Sequence, residues 1–163
     1  MKKAIFIIIG IVVVGIAWYG LSPLLKNKTV NDALPENTVV DQKTKSDESV
    51  VPLEEEAQEV RRAPVVDTPT HPASGFVRLV QNGDETIVRY EEYKTINGPD
   101  VRVYLANDLK ASDFVDLGPI KGTEGNINYS VPQGVDISKY RYALTWCEDF
   151  AVLFNSADLS LTR

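Results

Sequence analysis

Cys147, the only cysteine in the chain, offers the most distinctive chemistry. It directly follows Trp146 and precedes Glu148 and Asp149. A cysteine thiolate can exchange electrons or bind a metal, but a single cysteine excludes an intramolecular disulfide and a multi-cysteine zinc site. The two acidic neighbours disfavour the thiolate by charge repulsion. From the residue alone, a redox thiol and a buried structural cysteine both stay open.

The other polar residues point to no hydrolytic site. His71, the only histidine, lies in the Pro-flanked stretch TPTHPAS and is assigned to a linker. The sequence has no Gly-x-Ser-x-Gly motif and no phosphate-binding loop, which argues against the common hydrolase classes. We therefore do not expect a hydrolytic enzyme.

Charge argues against nucleic-acid binding and gives no specific metal motif. The formal net charge is −6, with no basic stripe that would follow a phosphate backbone. The aspartates of the C-terminal region fall at predicted turns and strand ends: Asp100, Asp108, Asp113, Asp116, Asp136 and Asp158. Turn chemistry explains these positions more simply than a calcium site does, although the sequence leaves that site open.

An apolar run near the N-terminus predicts a membrane span. Residues 4–21 are 18 residues without a charge. A helix of that length rises about 27 Å, close to the roughly 30 Å of the hydrocarbon core. Trp18 and Tyr19 stand where a signal-peptide cleavage site would be expected, so a retained anchor over residues 1–25 is favoured. Lysines ahead of the run predict a single-pass protein with a cytoplasmic N-terminus and an extracytoplasmic C-terminal domain.

Residues 26–74 are predicted to form a flexible, acidic and disordered linker. Charged residues or prolines interrupt every apolar run after two or three residues. Too little apolar surface is available to offset the entropy lost on ordering the backbone. The linker would form a stalk between the membrane and the C-terminal domain.

Residues 75–163 predict an all-β domain, a small antiparallel sandwich or barrel. Short β-rich runs alternate there with Gly, Pro, Asn and Asp. The predicted strands are 76–80, 86–94, 101–105, 114–117, 126–131, 142–147 and 151–154. An Asn82-Gly83 turn joins the first two. Alternation in the strand 142–147 puts Trp146 on one face and Cys147 on the other.

Three segments of this domain are more specific than a strand pattern. They read GPDVRVYL at 98–105, LGPIKGTEGNINYSVP at 117–132 and ALTWCEDFAVLFNSADL at 143–159. In this order and spacing the chain resembles the DM-thirteen domain, a family found outside the cytoplasm and often beside DOMON domains. The resemblance covers essentially residues 75–163. It departs from the family pattern at Ile120, where leucine is usual, and at Asn155, where glycine is common.

The resemblance implies a redox or electron-transfer role. The cysteine of the family's Trp-Cys motif is expected to act as a naked thiol or as the ligand of a prosthetic group such as haem, and by position it is Cys147. Trp146 would flank and shield it. Since the predicted domain contains no His or Met, a haem on Cys147 would be five-coordinate or would take a Tyr or Lys as its second ligand.

Two main functions follow as hypotheses, with a third as an outcome to test. The first is a membrane-anchored redox module whose partners are the lipid bilayer, through residues 4–21, and another membrane or extracytoplasmic redox protein. The alternative is a non-enzymatic module that binds a protein or glycan and uses Cys147 structurally. The third is a dimer linked covalently through Cys147.

Overall fold

The computed structural model describes residues 10–12, 15, 27–34 and 62–160. Of the predicted membrane span, only residues 10–12 and 15 fall in these ranges, and they are helical; the rest of the span lies outside the described residues. Within the described ranges, no helix has the length and apolar character needed to cross a membrane. Most of the predicted linker, residues 35–61, also lies outside them.

The described residues form ten strands in two five-stranded sheets. The strands are β1 (Thr29–Asn31), β2 (Arg62–Pro64), β3 (Val66–Asp67), β4 (Ser74–Asn82), β5 (Glu85–Lys94), β6 (Val101–Ala106), β7 (Phe114–Pro119), β8 (Glu124–Ser130), β9 (Tyr142–Cys147) and β10 (Val152–Asp158). The first sheet has the order β1-β8-β5-β4-β2 and the second the order β3-β10-β9-β6-β7. A 3-10 turn, Ile137–Lys139, lies between β8 and β9. The all-β prediction is confirmed, and the architecture is the sandwich.

Three strands lie N-terminal to residue 75, within the segment predicted as linker. β2 pairs antiparallel with β4, and β3 pairs antiparallel with β10. β1 pairs with β8, and this pairing is parallel. Each strand has only two or three residues, too few to show an alternating pattern in the sequence. They form because the longer strands offer them unpaired edges.

The interior between the sheets is apolar and aromatic, with a polar network inside it. Core residues from both sheets include Val77, Val88, Tyr90, Tyr93, Val103, Leu105, Ile127 and Ala143. The Tyr93 hydroxyl lies 2.9 Å from Thr145 Oγ1, and Asn155 Nδ2 donates to Tyr93 Oη at 3.1 Å and to Thr95 Oγ1 at 3.2 Å. Because buried polar groups are costly unless they are hydrogen-bonded, this network fixes β5 of one sheet against β9 and β10 of the other.

A bulge in β5 departs from the alternation expected of a regular strand. That alternation places Tyr90 and Tyr93 on opposite faces, but both side chains are buried in the core. The register against β8 shifts between them, and Glu92 has a φ of 49°. On β4, a Cβ on Gly75 would lie 2.7 Å from the Glu91 carbonyl oxygen, so the bulge needs glycine beside it.

Candidate functional site

Cys147 ends β9 with its side chain inside the sandwich. The residue is 1% exposed and is opposite Val101 on β6 and Val152 on β10. It forms a small buried cluster with Val101 and Phe154, distinct from the main core. The candidate thiol is therefore a buried group and not a surface group.

The Cys147 thiol donates a hydrogen bond inside the sandwich. Cys147 Sγ donates to the carbonyl oxygen of Pro99 at 3.0 Å. A carbonyl oxygen can only accept, so the sulfur in this contact keeps its hydrogen. Because the thiolate is the nucleophile and metal ligand, either reaction requires that this contact is broken first.

The three diagnostic sequence segments meet around this cysteine. From the first segment, Val101 packs in the cluster. Gly98 of the same segment leaves room for the Phe154 ring, because a Cβ on Gly98 would lie 2.7 Å from Phe154 Cζ. From the second, Ile120 packs against the cluster, and its backbone N–H donates to the Val101 carbonyl oxygen at 2.9 Å. The third supplies Cys147 and Phe154. The motif residues thus build the immediate surroundings of the thiol.

His71 belongs to the folded domain, so its assignment to the linker is wrong. Its ring stacks on Phe154, with ring centroids 4.0 Å apart and an angle of 18° between the planes. Nδ1 lies 2.9 Å from Thr68 Oγ1, whose hydroxyl donates to the Phe154 carbonyl oxygen at 3.1 Å. His71 thereby stabilises the ring that covers the cysteine.

Trp146 lies on the outer face of the second sheet. It packs, partly buried, beside Tyr104 and Leu144 and is opposite Leu153 on β10. The structure therefore does not bring Trp146 onto the face that carries Cys147. Within the third segment, the residue that packs against the thiol is Phe154. The sequence did not indicate this role.

The acidic residue after the cysteine is held away from the thiol. The Tyr104 hydroxyl, on the outer face, donates to Glu148 Oε2. Burial, and then the nearby Glu148 carboxylate, raise the pKa of Tyr104 well above its usual value of 10.0. The Glu148 backbone N–H donates to the Asp100 carbonyl oxygen at 2.9 Å, which fixes the turn after Cys147. In that turn Phe150 is 69% exposed.

The aspartates act in turns and ion pairs. Asp108 accepts from the backbone N–H groups of Lys110 and Ser112. Asp158 pairs with Arg141 at 2.6 Å, and this hydrogen-bonded contact lowers the pKa of Asp158 to about 2. Over the described part of the chain, no three His, Cys, Asp or Glu side chains come together as a metal site.

A haem does not fit the site as it is built. Cys147 is 1% exposed, and its sulfur is engaged with Pro99 and packed among Val101 and Phe154. Iron ligation needs a deprotonated sulfur with an open approach. A thiol acting without a prosthetic group agrees better with this geometry.

Comparison with known protein families gives a match over the folded domain. A family model described as Electron transfer DM13 matches residues 65–159, which is 95 of the 163 residues and more than half of the chain. The match begins ten residues before the boundary predicted at residue 75, includes His71 and leaves out β1 and β2. No curated protein and no solved structure matches the chain.

Proposed function

Because the chain belongs to the Electron transfer DM13 family, we propose that it is an electron-transfer module whose redox-active group is Cys147. The observation that carries the proposal is the meeting of all three diagnostic segments at this one thiol. A redox centre explains why separate parts of the sequence build a single small cluster. We propose further that residues 4–21 anchor the module to a membrane with its domain outside the cytoplasm; the uncharged apolar run supports this.

The resting thiol is protonated and covered, so electron transfer begins with local opening. Once Phe154 moves aside, Cys147 loses its proton and attacks an exposed disulfide of an extracytoplasmic redox partner. The partner's S–S bond breaks, a mixed disulfide with Cys147 forms, and the leaving sulfur takes up a proton from water. The partner's leaving sulfur is thereby reduced and Cys147 is oxidised. A dithiol of a second redox protein then reduces the mixed disulfide, which frees Cys147 and completes the transfer of the electron pair.

A second function, a non-enzymatic binding module with a structural cysteine, has its own supporting observation. Cys147 is 1% exposed and hydrogen-bonded, as a packing residue would be. The turn that follows presents Phe150, 69% exposed, at the surface. Aromatic side chains of this kind are enriched in interfaces.

Thiol reactivity in the native fold tests the proposal. The full chain in detergent is mixed with the aromatic disulfide DTNB, and release of the coloured thiolate is followed for the wild type, Phe154→Leu and Leu153→Ala. Leu153 packs on the outer face and serves as the control for lost packing in β10. We expect Phe154→Leu to react about tenfold faster, which corresponds to about 1.4 kcal/mol less for opening, and Leu153→Ala to react like the wild type.

Reversibility decides between the two functions. Under the redox proposal, dithiothreitol restores the free thiol without any change in near-UV circular dichroism. If Cys147 reacts only at the rate of global unfolding in all three proteins, the redox proposal is wrong and the cysteine is structural. A reducible dimer without DTNB would instead support covalent pairing through Cys147.

A further inference from the structure

The segment from Lys28 to Ala33 lies along the outer edge of β8. The Lys28 carbonyl oxygen accepts from the Thr123 N–H at 2.8 Å, and the Asp32 N–H donates to the Asn126 carbonyl oxygen at 2.8 Å. Val30 packs against the main core. These are the contacts of a strand added to a sheet edge.

Side chains make the contact specific for this segment. Asp32 Oδ2 accepts from the Asn128 N–H at 2.9 Å, and Asn31 Oδ1 accepts from the Asn126 N–H at 3.3 Å. Arg89, only 5% exposed, donates from Nη1 to the Asp32 carbonyl oxygen at 3.1 Å. Arg89 also pairs with Glu91 at 3.1 Å and donates to Asn128 Oδ1 at 2.7 Å, so its guanidinium connects the segment to β5 and β8.

Two glycines make room for the segment. A Cβ on Gly122 would lie 2.7 Å from both the Lys28 carbonyl oxygen and Val30 Cγ2. A Cβ on Gly125 would lie 2.0 Å from the Val30 carbonyl oxygen. Both glycines belong to the KGTEG stretch that precedes and opens β8, so part of this diagnostic motif serves strand docking as well as chain turning.

The docked segment lies close in the chain to the predicted membrane span. It lies outside the family match, residues 34–61 separate it from β2, and it follows the apolar run by only six residues, 22–27. We propose that the β8 edge is a strand-addition site whose ligand is the segment 28–33 of the same chain, and that this contact holds the domain beside the membrane. The second half rests on the proposed membrane anchoring; the first does not.

Docking of the segment shortens the connection between the predicted membrane span and the domain. From Leu21 to the docked Lys28 there are seven Cα–Cα steps, which span at most about 25 Å when fully extended. A free linker over the 49 residues 26–74 would have a root-mean-square span of about 40 Å, and charge repulsion would extend it. Docking of β1 therefore replaces a long stalk with a short tether.

Cutting the connection between β1 and β2 tests whether the segment is held. A protease recognition sequence is placed between residues 40 and 50 of the full chain, and the protein is cleaved in detergent and run on size exclusion. We expect the N-terminal fragment to stay with the domain in the wild type. In Gly122→Ala it should be lost from the domain peak, because the added Cβ meets only Lys28 and Val30 atoms within its three nearest contacts.

Gly118→Ala is the matched control. Gly118 has a φ of 105° and nothing within 4 Å of an added Cβ, so the change strains the backbone without touching the segment, and the fragment should be retained. Near-UV circular dichroism checks that each cleaved domain is folded. Separation of the wild-type fragments, or retention in a folded Gly122→Ala protein, would overturn the docking proposal. No thiol is read out, so the result is independent of the redox role of Cys147.

The proposal that docking holds the domain beside the membrane is tested by a separate measurement. In nanodiscs, energy transfer from a label at position 150 to the lipid surface should fall in Gly122→Ala and stay unchanged in Gly118→Ala. Equal transfer in wild type and Gly122→Ala would overturn the short tether while leaving the strand-addition site intact.

Discussion

The chemistry of a single residue, Cys147, depends on the few atoms around it. Its acidic sequence neighbours suggest that charge repulsion disfavours the thiolate, but the Glu148 carboxylate accepts a hydrogen bond from Tyr104 on the other face of the sheet. What controls the sulfur is the Pro99 carbonyl oxygen and the cover provided by Phe154. Reactivity at this site is thus set by packing and opening.

Substitution of Cys147 measures what its hydrogen bond contributes. We expect Cys147→Ala to lower the free energy of unfolding by about 1–3 kcal/mol, because it leaves a small cavity and an unpaired Pro99 carbonyl. Cys147→Ser should cost less, since a hydroxyl can donate to the same oxygen. Urea unfolding of both variants checks this. Equal losses would show that the S–H to Pro99 contact adds no stability.

At the scale of strands, the buried polar network explains the departure at Asn155. The resemblance leads one to expect glycine there, but Asn155 is 1% exposed and donates to Tyr93 and Thr95. The asparagine therefore joins β10 to β5 across the core. In this chain, buried hydrogen bonds as well as apolar contacts hold the two sheets together.

Replacing Asn155 should loosen this junction. Asn155→Gly is expected to lower the free energy of unfolding by about 1–3 kcal/mol, because it removes the amide that donates to the Thr95 hydroxyl and to Tyr93 Oη, leaving Tyr93 only its contact with Thr145. A double-mutant cycle with Tyr93→Phe should give a coupling energy of at least about 0.5 kcal/mol. Additive losses within error would contradict the network.

For the molecule as a whole, its buried tyrosines make the fold sensitive to alkali. Burial raises the pKa of Tyr90 and of Tyr93 above the usual 10.0, and burial also raises that of Tyr129. Below pH 10 folded and unfolded chains are both protonated at these positions, and their contribution is fully present. Above pH 10 only the unfolded chain ionises readily, so stability falls as the pH rises.

An alkaline titration checks this expectation. Tyrosinate absorbance at 295 nm and near-UV circular dichroism should change together between about pH 10 and 12, because these tyrosines ionise as the sandwich unfolds. Tyr90→Phe is the informative variant, because the Tyr90 hydroxyl lies 3.5 Å from Thr145 Oγ1 and makes only a weak contact. Removing this hydroxyl should make the stability fall less steeply above pH 10. Full tyrosine ionisation before any loss of structure would contradict the prediction.

Local patterns predicted most of the strands. All seven strands predicted after residue 75 occur, within a few residues at their ends, and the Asn82-Gly83 turn joins β4 to β5. Strand periodicity and turn chemistry act over neighbouring residues, so the sequence displays them directly. The bulge in β5 was not visible in this way, because it is defined by pairing with β4 and β8.

By itself, the sequence determined that the C-terminal region is all-β, that it belongs to an electron-transfer family and that one cysteine is its redox candidate. Only the tertiary structure decided that β1 docks on β8, that His71 joins the domain and that Phe154, not Trp146, lies against the thiol. These features depend on contacts between residues far apart in the chain. Their free energy comes from edges and surfaces that exist only once the sheets have formed.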